Sequence, residues 1–243
     1  MECVVINLKR NTKRWEMVHA ALVDAGISHR RFDAIDGRTV GAKYNHLMVP
    51  GTNFFTPRGV LGCALSHYLV LQEFIAGEFE TCLILEDDAR LVPNCTDNLA
   101  RIMKAAPKDW DMIKLASYPN YEGPDLLVRR TISLNTVALL ITRPGAEKIL
   151  QKRIAWPSHA DVALWFIPKL NTYVANKRLC PTFYQTWNTS SIAGQRYPRY
   201  DMNLKVVRLG PWEVVVGDVL VILVAVVAWN LFKPAPKKKS KRV

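Results

Sequence analysis

The sequence is short of acidic residues, and this shortage narrows the range of partners. Its 243 residues include 21 Asp and Glu against 33 Lys and Arg, which gives a formal charge of +12. A basic protein favours anionic partners such as nucleic acid, anionic lipid or a phosphorylated small molecule. The basic residues do not form a stripe with interleaved aromatics, and no RNA- or DNA-binding motif is present. We therefore expect no nucleic-acid partner.

Cysteine is scarce, and its spacing matches no common metal site. The five cysteines are Cys3, Cys63, Cys82, Cys95 and Cys180. Three of them lie in apolar contexts, which is typical of buried free thiols and fits a reducing compartment. The five histidines show no zinc-like clustering either, so the sequence does not predict a zinc site.

The two ends of the chain differ in hydrophobicity. The opening apolar run of "MECVVINLKR" is too short for a secretory leader, so we expect the body of the protein to be cytosolic. Residues 212–232 are strongly apolar and precede a polybasic tail at 233–243. This pattern favours a membrane-anchor helix that binds membrane lipid over a buried core helix. Whether such a helix spans the bilayer or lies in its interface stays open.

Strands and helices alternate along residues 1–195. Apolar, β-branched runs predict strands at 4–8, 29–37, 81–85, 109–114 and 136–142. Helical spacing and end signals predict helices at 11–26, 62–76 and 143–152. Residues 38–57 show no period and predict a long loop, and residues 196–211 form a basic linker. The alternation predicts an α/β domain with a mainly parallel central sheet flanked by helices.

One predicted strand ends in three consecutive acids, in the stretch "LILEDDARL". Glu86, Asp87 and Asp88 follow an apolar run inside a basic chain. Either they belong to a solvated turn or helix cap, or they meet a positive partner at the carboxyl end of the strand, where α/β proteins bind ligands. Glu86 and Asp88 present hard oxygen ligands of the kind that suit Mn²⁺ or Mg²⁺ together with a diphosphate.

Seven blocks occur in the order found in glycosyltransferase family 25, which includes lipopolysaccharide-type sugar transferases and collagen galactosyltransferases. The blocks are "VVINLKRNTKRWE", "FDAIDG", "TPRGVLGCALSHYLVLQ", "LILEDDA", "LITRPGAEKIL", "WPSHAD" and "SSI". The sequence resembles this family over most of residues 2–192. One departure is that the segment before Gly62 lacks an acid that the family often has.

The resemblance implies a fold, a reaction and a cofactor. The fold is GT-A-like, and the cofactor is Mn²⁺ or Mg²⁺. The reaction is transfer of a hexose, galactose-like, from a nucleotide sugar of the UDP-sugar type to a hydroxyl of a glycan, lipid-linked or protein acceptor, with inversion. The alternative is a catalytically inactive, membrane-bound relative that binds a nucleotide or sugar.

The resemblance also implies roles for the acids. We expect Glu86 and Asp88 to hold the metal and Asp87 to contact the donor. An inverting transfer needs a base near the acceptor hydroxyl, and Asp161 is the candidate because it lies outside the acid cluster. The alternative for Asp161 is a helix N-cap.

Further donor contacts are expected from two of the blocks. Asn7, Arg10 and Arg14 follow the first strand, where a nucleotide would lie, and arginines there can meet a diphosphate. Ser66 and His67 lie on the helix after the Gly-rich segment. His67 either contacts the donor or bonds a neighbouring loop.

Overall fold

The computed structural model describes residues 1–117, 121, 123–129, 133–155, 160–165 and 167–177, together with strands at 182–183, 205–209 and 212–215. The chain divides into two units, Met1–Gly194 and Gln195–Val243. All the predicted site residues belong to the first unit.

The first half of this unit alternates strands and helices as the sequence predicts. Its elements are β1 (Glu2–Asn7), α1 (Thr12–Asp24), β2 (Arg30–Asp33), α2 (Thr52–Phe55), α3 (Arg58–Ala76) and β3 (Thr81–Glu86). The expected loop between β2 and α3 is not without structure, because it contains two 3₁₀ turns and α2. The turns cover Gly37–Thr39 and Ala42–Leu47.

The second half contains shorter elements. They are β4 (Arg90–Leu91), α4 (Cys95–Ala105), β5 (Met112–Lys114), β6 (Leu127–Arg129), β7 (Ala138–Thr142), α5 (Arg143–Leu150), α6 (Ala160–Trp165), β8 (Thr172–Ala175) and β9 (Thr182–Phe183). β4 and β9 form a separate antiparallel pair.

The central sheet has seven strands in the order β2-β1-β3-β7-β5-β8-β6, and it is mixed. β7 runs antiparallel to both of its neighbours, and β6 runs antiparallel to β8. The prediction of a mainly parallel sheet therefore needs correction, since three of the six strand pairings are antiparallel. The described residues between β5 and β7 contain no crossover helix, and a parallel neighbour needs such a connection.

Each face of the sheet is covered by helices. Along β1, Cys3 and Val5 point to the face that carries α1 and α4, where Leu22 and Ile102 are fully buried. Val4 and Ile6 point to the opposite face, which carries α3 and α5. Side chains of a strand buried on both faces alternate in this way between two apolar layers.

The start of α3 packs very closely on the segment after β2. A Cβ atom on Gly62 would lie 2.5 Å from the carbonyl oxygen of Ile35 and 2.7 Å from the amide nitrogen of Gly37. A Cβ atom on Gly37 would in turn collide with the carbonyl group of Arg58. Two of the family-like blocks, "FDAIDG" and the one containing "GCALSH", therefore meet here backbone to backbone.

The second unit contains a two-stranded antiparallel hairpin. It pairs β10 (Lys205–Leu209) with β11 (Trp212–Val215). The first four residues of the predicted anchor helix at 212–232 are thus a strand, and the rest of that segment lies outside the described residues. Within the described part of the chain, α3 is long and apolar enough to cross a membrane, but it packs as a core helix on the sheet.

Candidate active site

Polar side chains from three strands meet at one edge of the sheet. Asn7, Glu86 and Lys114 are the last residues of β1, β3 and β5, and all three strands run in the same direction. The segment before β7 arrives at the same edge because β7 runs the other way, and the Glu86 amide donates to Val137 O at 2.8 Å. This is the edge where α/β proteins bind ligands.

Asp87 is held by the first strand and the first helix. Its Oδ2 accepts a hydrogen bond of 2.7 Å from Asn7 Nδ2, and its Oδ1 accepts one of 2.9 Å from Arg14. Asp87 is only 8% exposed. The structure thus brings together three residues that the sequence assigned to substrate, and their side chains engage one another within the protein.

Glu86 lies between α3 and the segment before β7. Its Oε1 is 3.1 Å from His67 Nε2 and accepts a hydrogen bond of 2.7 Å from Thr136 Oγ1. Burial acts to raise the pKa of Glu86, but the hydrogen bonds and charges of its neighbours outweigh it, so this pKa lies below its usual value. His67 therefore contacts the acid cluster directly.

Asp88 is the acid of the cluster whose ionised form the protein disfavours. Its Oδ1 is buried and has no hydrogen-bond partner among the described residues. Burial, followed by the negative charges of Glu86 and Asp87, raises the pKa of Asp88 to about 7. A buried carboxylate oxygen beside two other acids is unfavourable unless a cation meets it.

Asp161 reaches the same edge from α6. Its Oδ2 accepts a hydrogen bond of 2.8 Å from the backbone amide of Asn135. Asn135 has a φ of 88°, and its own side chain accepts from the amide of Val137 at 2.8 Å. The next residue along, Thr136, bonds Glu86. One short segment therefore links the candidate base to the acid cluster.

Lys114 is a site residue that the sequence did not single out. It is 1% exposed, and its Nζ donates to the carbonyl of Ser133. Burial lowers its pKa to about 8, although the charge of Asp161 acts to raise it. A lysine at the end of an apolar strand was the available signal, because lysine is rarely fully buried.

Two predicted residues lie away from the carboxylates. Ser66 Oγ accepts from the Ile35 amide at 2.8 Å and donates to Gly62 O at 2.6 Å, so its hydroxyl fixes α3 to the segment after β2. Arg10 is exposed and pairs with Asp36, which also pairs with Arg38. Hydrogen bonding from Arg38 holds the pKa of Asp36 down at about 2.

Cys63 is the second site residue that the sequence missed. It precedes His67 by one helical turn, and its pKa is raised well above the usual value by burial and then by the charges of Glu86, Asp161 and Asp88. One ligand atom from each of Cys63, His67 and Glu86 lies within 4.8 Å of the others. The sequence showed no such cluster because Glu86 comes from a different element.

The fold and this edge define an α/β domain with an acidic ligand site at the carboxyl ends of its strands. The model of glycosyltransferase family 25, described as LPS biosynthesis protein, matches residues 1–164. The chain belongs to this family. Of the seven family-like blocks, Ser190–Ile192 and part of the block at 156–161 lie outside the described residues.

Three relatives show the range of the family. Protein R655 of Acanthamoeba polyphaga mimivirus is 37% identical over 136 residues, which cover 54% of this chain and 41% of that protein. Procollagen galactosyltransferase 2 of Homo sapiens is 30% identical over 169 residues, covering 61% and 27%. Inactive glycosyltransferase 25 family member 3 of Homo sapiens is 31% identical over 172 residues, covering 61% and 28%. The chain spans less than half the length of each of these relatives.

Proposed function

We propose that this chain is a metal-dependent glycosyltransferase that moves a hexose, galactose-like, from a nucleotide sugar of the UDP-sugar type to an acceptor hydroxyl. The acceptor is a glycan, a lipid-linked sugar or a protein. Family membership supports the reaction class. The observation that carries the proposal is a buried Asp88 oxygen that has no hydrogen-bond partner among the described residues, beside two further carboxylates at the carboxyl edge of the sheet.

The donor set at this edge fits a hard divalent cation. Glu86 and Asp88 would hold Mn²⁺ or Mg²⁺, since both cations prefer carboxylates combined with phosphate oxygens. The unpartnered Asp88 oxygen is the position that such an ion would satisfy. When bound, the ion would supply stabilisation of the negative charge that develops on the departing nucleoside diphosphate.

Different side chains of the protein hold different carboxylates at this site. Asn7 and Arg14 hold the Asp87 carboxylate, and His67 and Thr136 hold Glu86. These side chains keep the carboxylates oriented before substrate arrives, which is the preorganisation that electrostatic catalysis needs. In this proposal the Asp87 carboxylate, held in place by Asn7 and Arg14, contacts the donor and orients it.

Arg10 remains the candidate for direct contact with the donor diphosphate. Its side chain is 44% exposed beside the end of β1, and a guanidinium suits phosphate oxygens. Ser66, by contrast, contributes by fixing the position of α3, because its hydroxyl already donates to one backbone group and accepts from another.

Asp161 is the proposed general base. An inverting transfer is a single displacement, in which the acceptor hydroxyl loses its proton as it attacks the sugar from the face opposite the leaving group. The Asn135 amide fixes one oxygen of Asp161, which orients the carboxylate. Asp161→Asn removes the base and keeps an acceptor for that amide.

The test is transfer to an acceptor, measured as nucleoside diphosphate release from a screen of UDP-sugars. Asp161→Asn should bind UDP as the wild type does and lose transfer by about 10²–10⁴-fold. UDP binding by calorimetry without turnover on any acceptor would instead favour the inactive alternative. The inactive family member among the relatives is the reason to carry that second candidate.

Membrane association through the C-terminal apolar segment is part of the same proposal, with the catalytic domain on the cytosolic side. The charge-free run Val219–Phe232 and the Lys-rich tail support binding to anionic lipid. Protease accessibility of a tag placed after Val243 distinguishes a spanning helix from an interfacial one. A full chain that stays free of phosphatidylserine vesicles in a sedimentation assay would contradict this part.

A further inference from the structure

Two potential metal ligands lie on one face of α3 and point to the end of β3. Cys63 and His67 are four residues apart, and residues at this spacing are neighbours on the same helical face. Glu86 comes from β3, and its Oε1 is 3.1 Å from His67 Nε2. One ligand atom of each residue lies within 4.8 Å of the other two.

We propose that Cys63, His67 and Glu86 form a site for a thiophilic divalent cation of the zinc class. A tetrahedral zinc with sulfur, nitrogen and oxygen ligands places those ligand atoms about 3.4–3.6 Å apart. The three groups are already within 4.8 Å of one another, so side-chain movements of about 1 Å close the site. Three protein ligands leave one coordination position for water or a substrate oxygen.

The chemistry of the three ligands separates this site from the proposed manganese or magnesium site. Mg²⁺ and Mn²⁺ prefer oxygen ligands, whereas a thiolate with an imidazole selects zinc-class ions. Cys63 and His67 are absent from the all-oxygen set of Glu86 and Asp88. Glu86 belongs to both ligand sets, so a zinc-class ion that binds Glu86 makes this ligand inaccessible to Mn²⁺ or Mg²⁺.

The surroundings of the thiol also favour a cation. Glu86, Asp161 and Asp88 all direct negative charge at Cys63, and the Thr136 hydroxyl hydrogen-bonds it. A bound divalent ion would offset the negative charge of these three carboxylates. Cys63 is half-buried, unlike the buried Cys3, Cys82 and Cys95.

Competition for Glu86 gives the site a regulatory consequence. A zinc-class ion bound to Cys63, His67 and Glu86 inhibits the manganese-dependent transfer, and a sufficient increase in Mn²⁺ restores it. This consequence rests on the proposed function, whereas the binding of the ion does not. The two are therefore tested by separate measurements.

The first measurement is a titration of the full chain with Cd²⁺, followed through the ultraviolet thiolate-to-cadmium charge-transfer band. The wild type should show the band with a stoichiometry of one. Cys63→Ser should lose it, His67→Gln should bind Cd²⁺ at least about tenfold more weakly, and Cys95→Ser should match the wild type. A band that survives in Cys63→Ser, or no band in the wild type, overturns the proposal.

The second measurement needs no variant and so does not depend on the folding of Cys63→Ser. X-ray absorption of the zinc-loaded wild type should show one sulfur at about 2.3 Å and nitrogen or oxygen at about 2.0 Å. Oxygen and nitrogen scatterers alone would refute the site. If the sulfur is present but the chain transfers no sugar with Mn²⁺, the zinc-class site stands and the proposed function fails.

Discussion

His67, in the middle of α3, and Glu86, at the end of β3, are joined by a hydrogen bond of 3.1 Å. Because of this contact, the position of α3 sets the position of the first acid of the cluster. α3 is in turn fixed by Gly62 and Ser66 against the segment after β2. The "GCALSH" block is therefore a structural support for the acid motif, and the two motifs act as one unit.

Substitution of Gly62 by alanine should destabilise the protein. The new Cβ would lie 2.5 Å from the carbonyl oxygen of Ile35, and backbone atoms can move away only by shifting the start of α3. We expect a loss of about 1–3 kcal/mol in the free energy of unfolding, measured by urea denaturation.

Gly41→Ala is the matched control for this prediction. Gly41 has a φ of −103°, and a Cβ atom there would meet nothing within 4 Å. Its free energy of unfolding should stay within about 0.5 kcal/mol of the wild type or rise slightly. Equal effects of the two substitutions would show that the contact of α3 with the Ile35–Gly37 segment is not tight.

Arg14 should contribute to stability through Asp87. Arg14→Met leaves this nearly buried carboxylate with Asn7 as its remaining side-chain donor among the described residues. Loss of a charged hydrogen bond of this kind costs about 2 kcal/mol. The comparison is Arg101→Met, on the exposed side of α4, which should change the urea midpoint little. An unchanged midpoint in Arg14→Met would mean that the ion pair is not formed in solution.

Much of the fold could be predicted from the sequence. β1, α1, β3, α3 and α5 follow strong periodic signals, and their predicted bounds differ from the observed ones by a few residues. The direction of β7 could not be predicted, because an apolar run does not show which way its strand lies. α4, β6 and β8 were missed, and the latter two are only three and four residues long.

Lys114 should make the free energy of unfolding of the protein depend on pH. Its pKa is about 8 in the folded state and about 10.5 when unfolded, so the unfolded chain binds more protons between these values. The free energy of unfolding due to this lysine therefore rises with pH across that window, by up to about 1.4 kcal/mol per pH unit.

Lys114→Met removes this contribution. The difference in free energy of unfolding between the wild type and the variant therefore separates the effect of Lys114 from that of other titrating groups. Urea denaturation at pH 8 and pH 10 gives the free energy of unfolding of Lys114→Met minus that of the wild type. This difference should become smaller as the pH rises. A difference that is constant with pH would mean that the pKa of Lys114 is unshifted.

Asp88 should be unfavourable for stability when no metal is present. Asp88→Asn removes one negative charge from a buried group beside Glu86 and Asp87. In EDTA at pH 8 we expect the free energy of unfolding to rise by about 2 kcal/mol. A fall in stability would mean that Asp88 has a stabilising partner in the absence of a cation.

The candidate site was predictable where it depends on contiguous motifs. The acid cluster, His67 and Asp161 were all named from sequence blocks, and the structure brings them to one edge. Lys114, Thr136 and Cys63 were not assigned to the site, because their importance comes from neighbours that are distant in the chain. Thr136, for example, reaches Glu86 across 50 positions.

The most direct measurement of the central claim is nucleoside diphosphate release from UDP-sugars by the full chain, with Mn²⁺ and with EDTA. The account predicts release that requires Mn²⁺ and falls by at least about 10²-fold in Asp88→Ala, while that variant remains folded. It is contradicted if no UDP-sugar is turned over, or if Asp88→Ala releases the diphosphate at the wild-type rate.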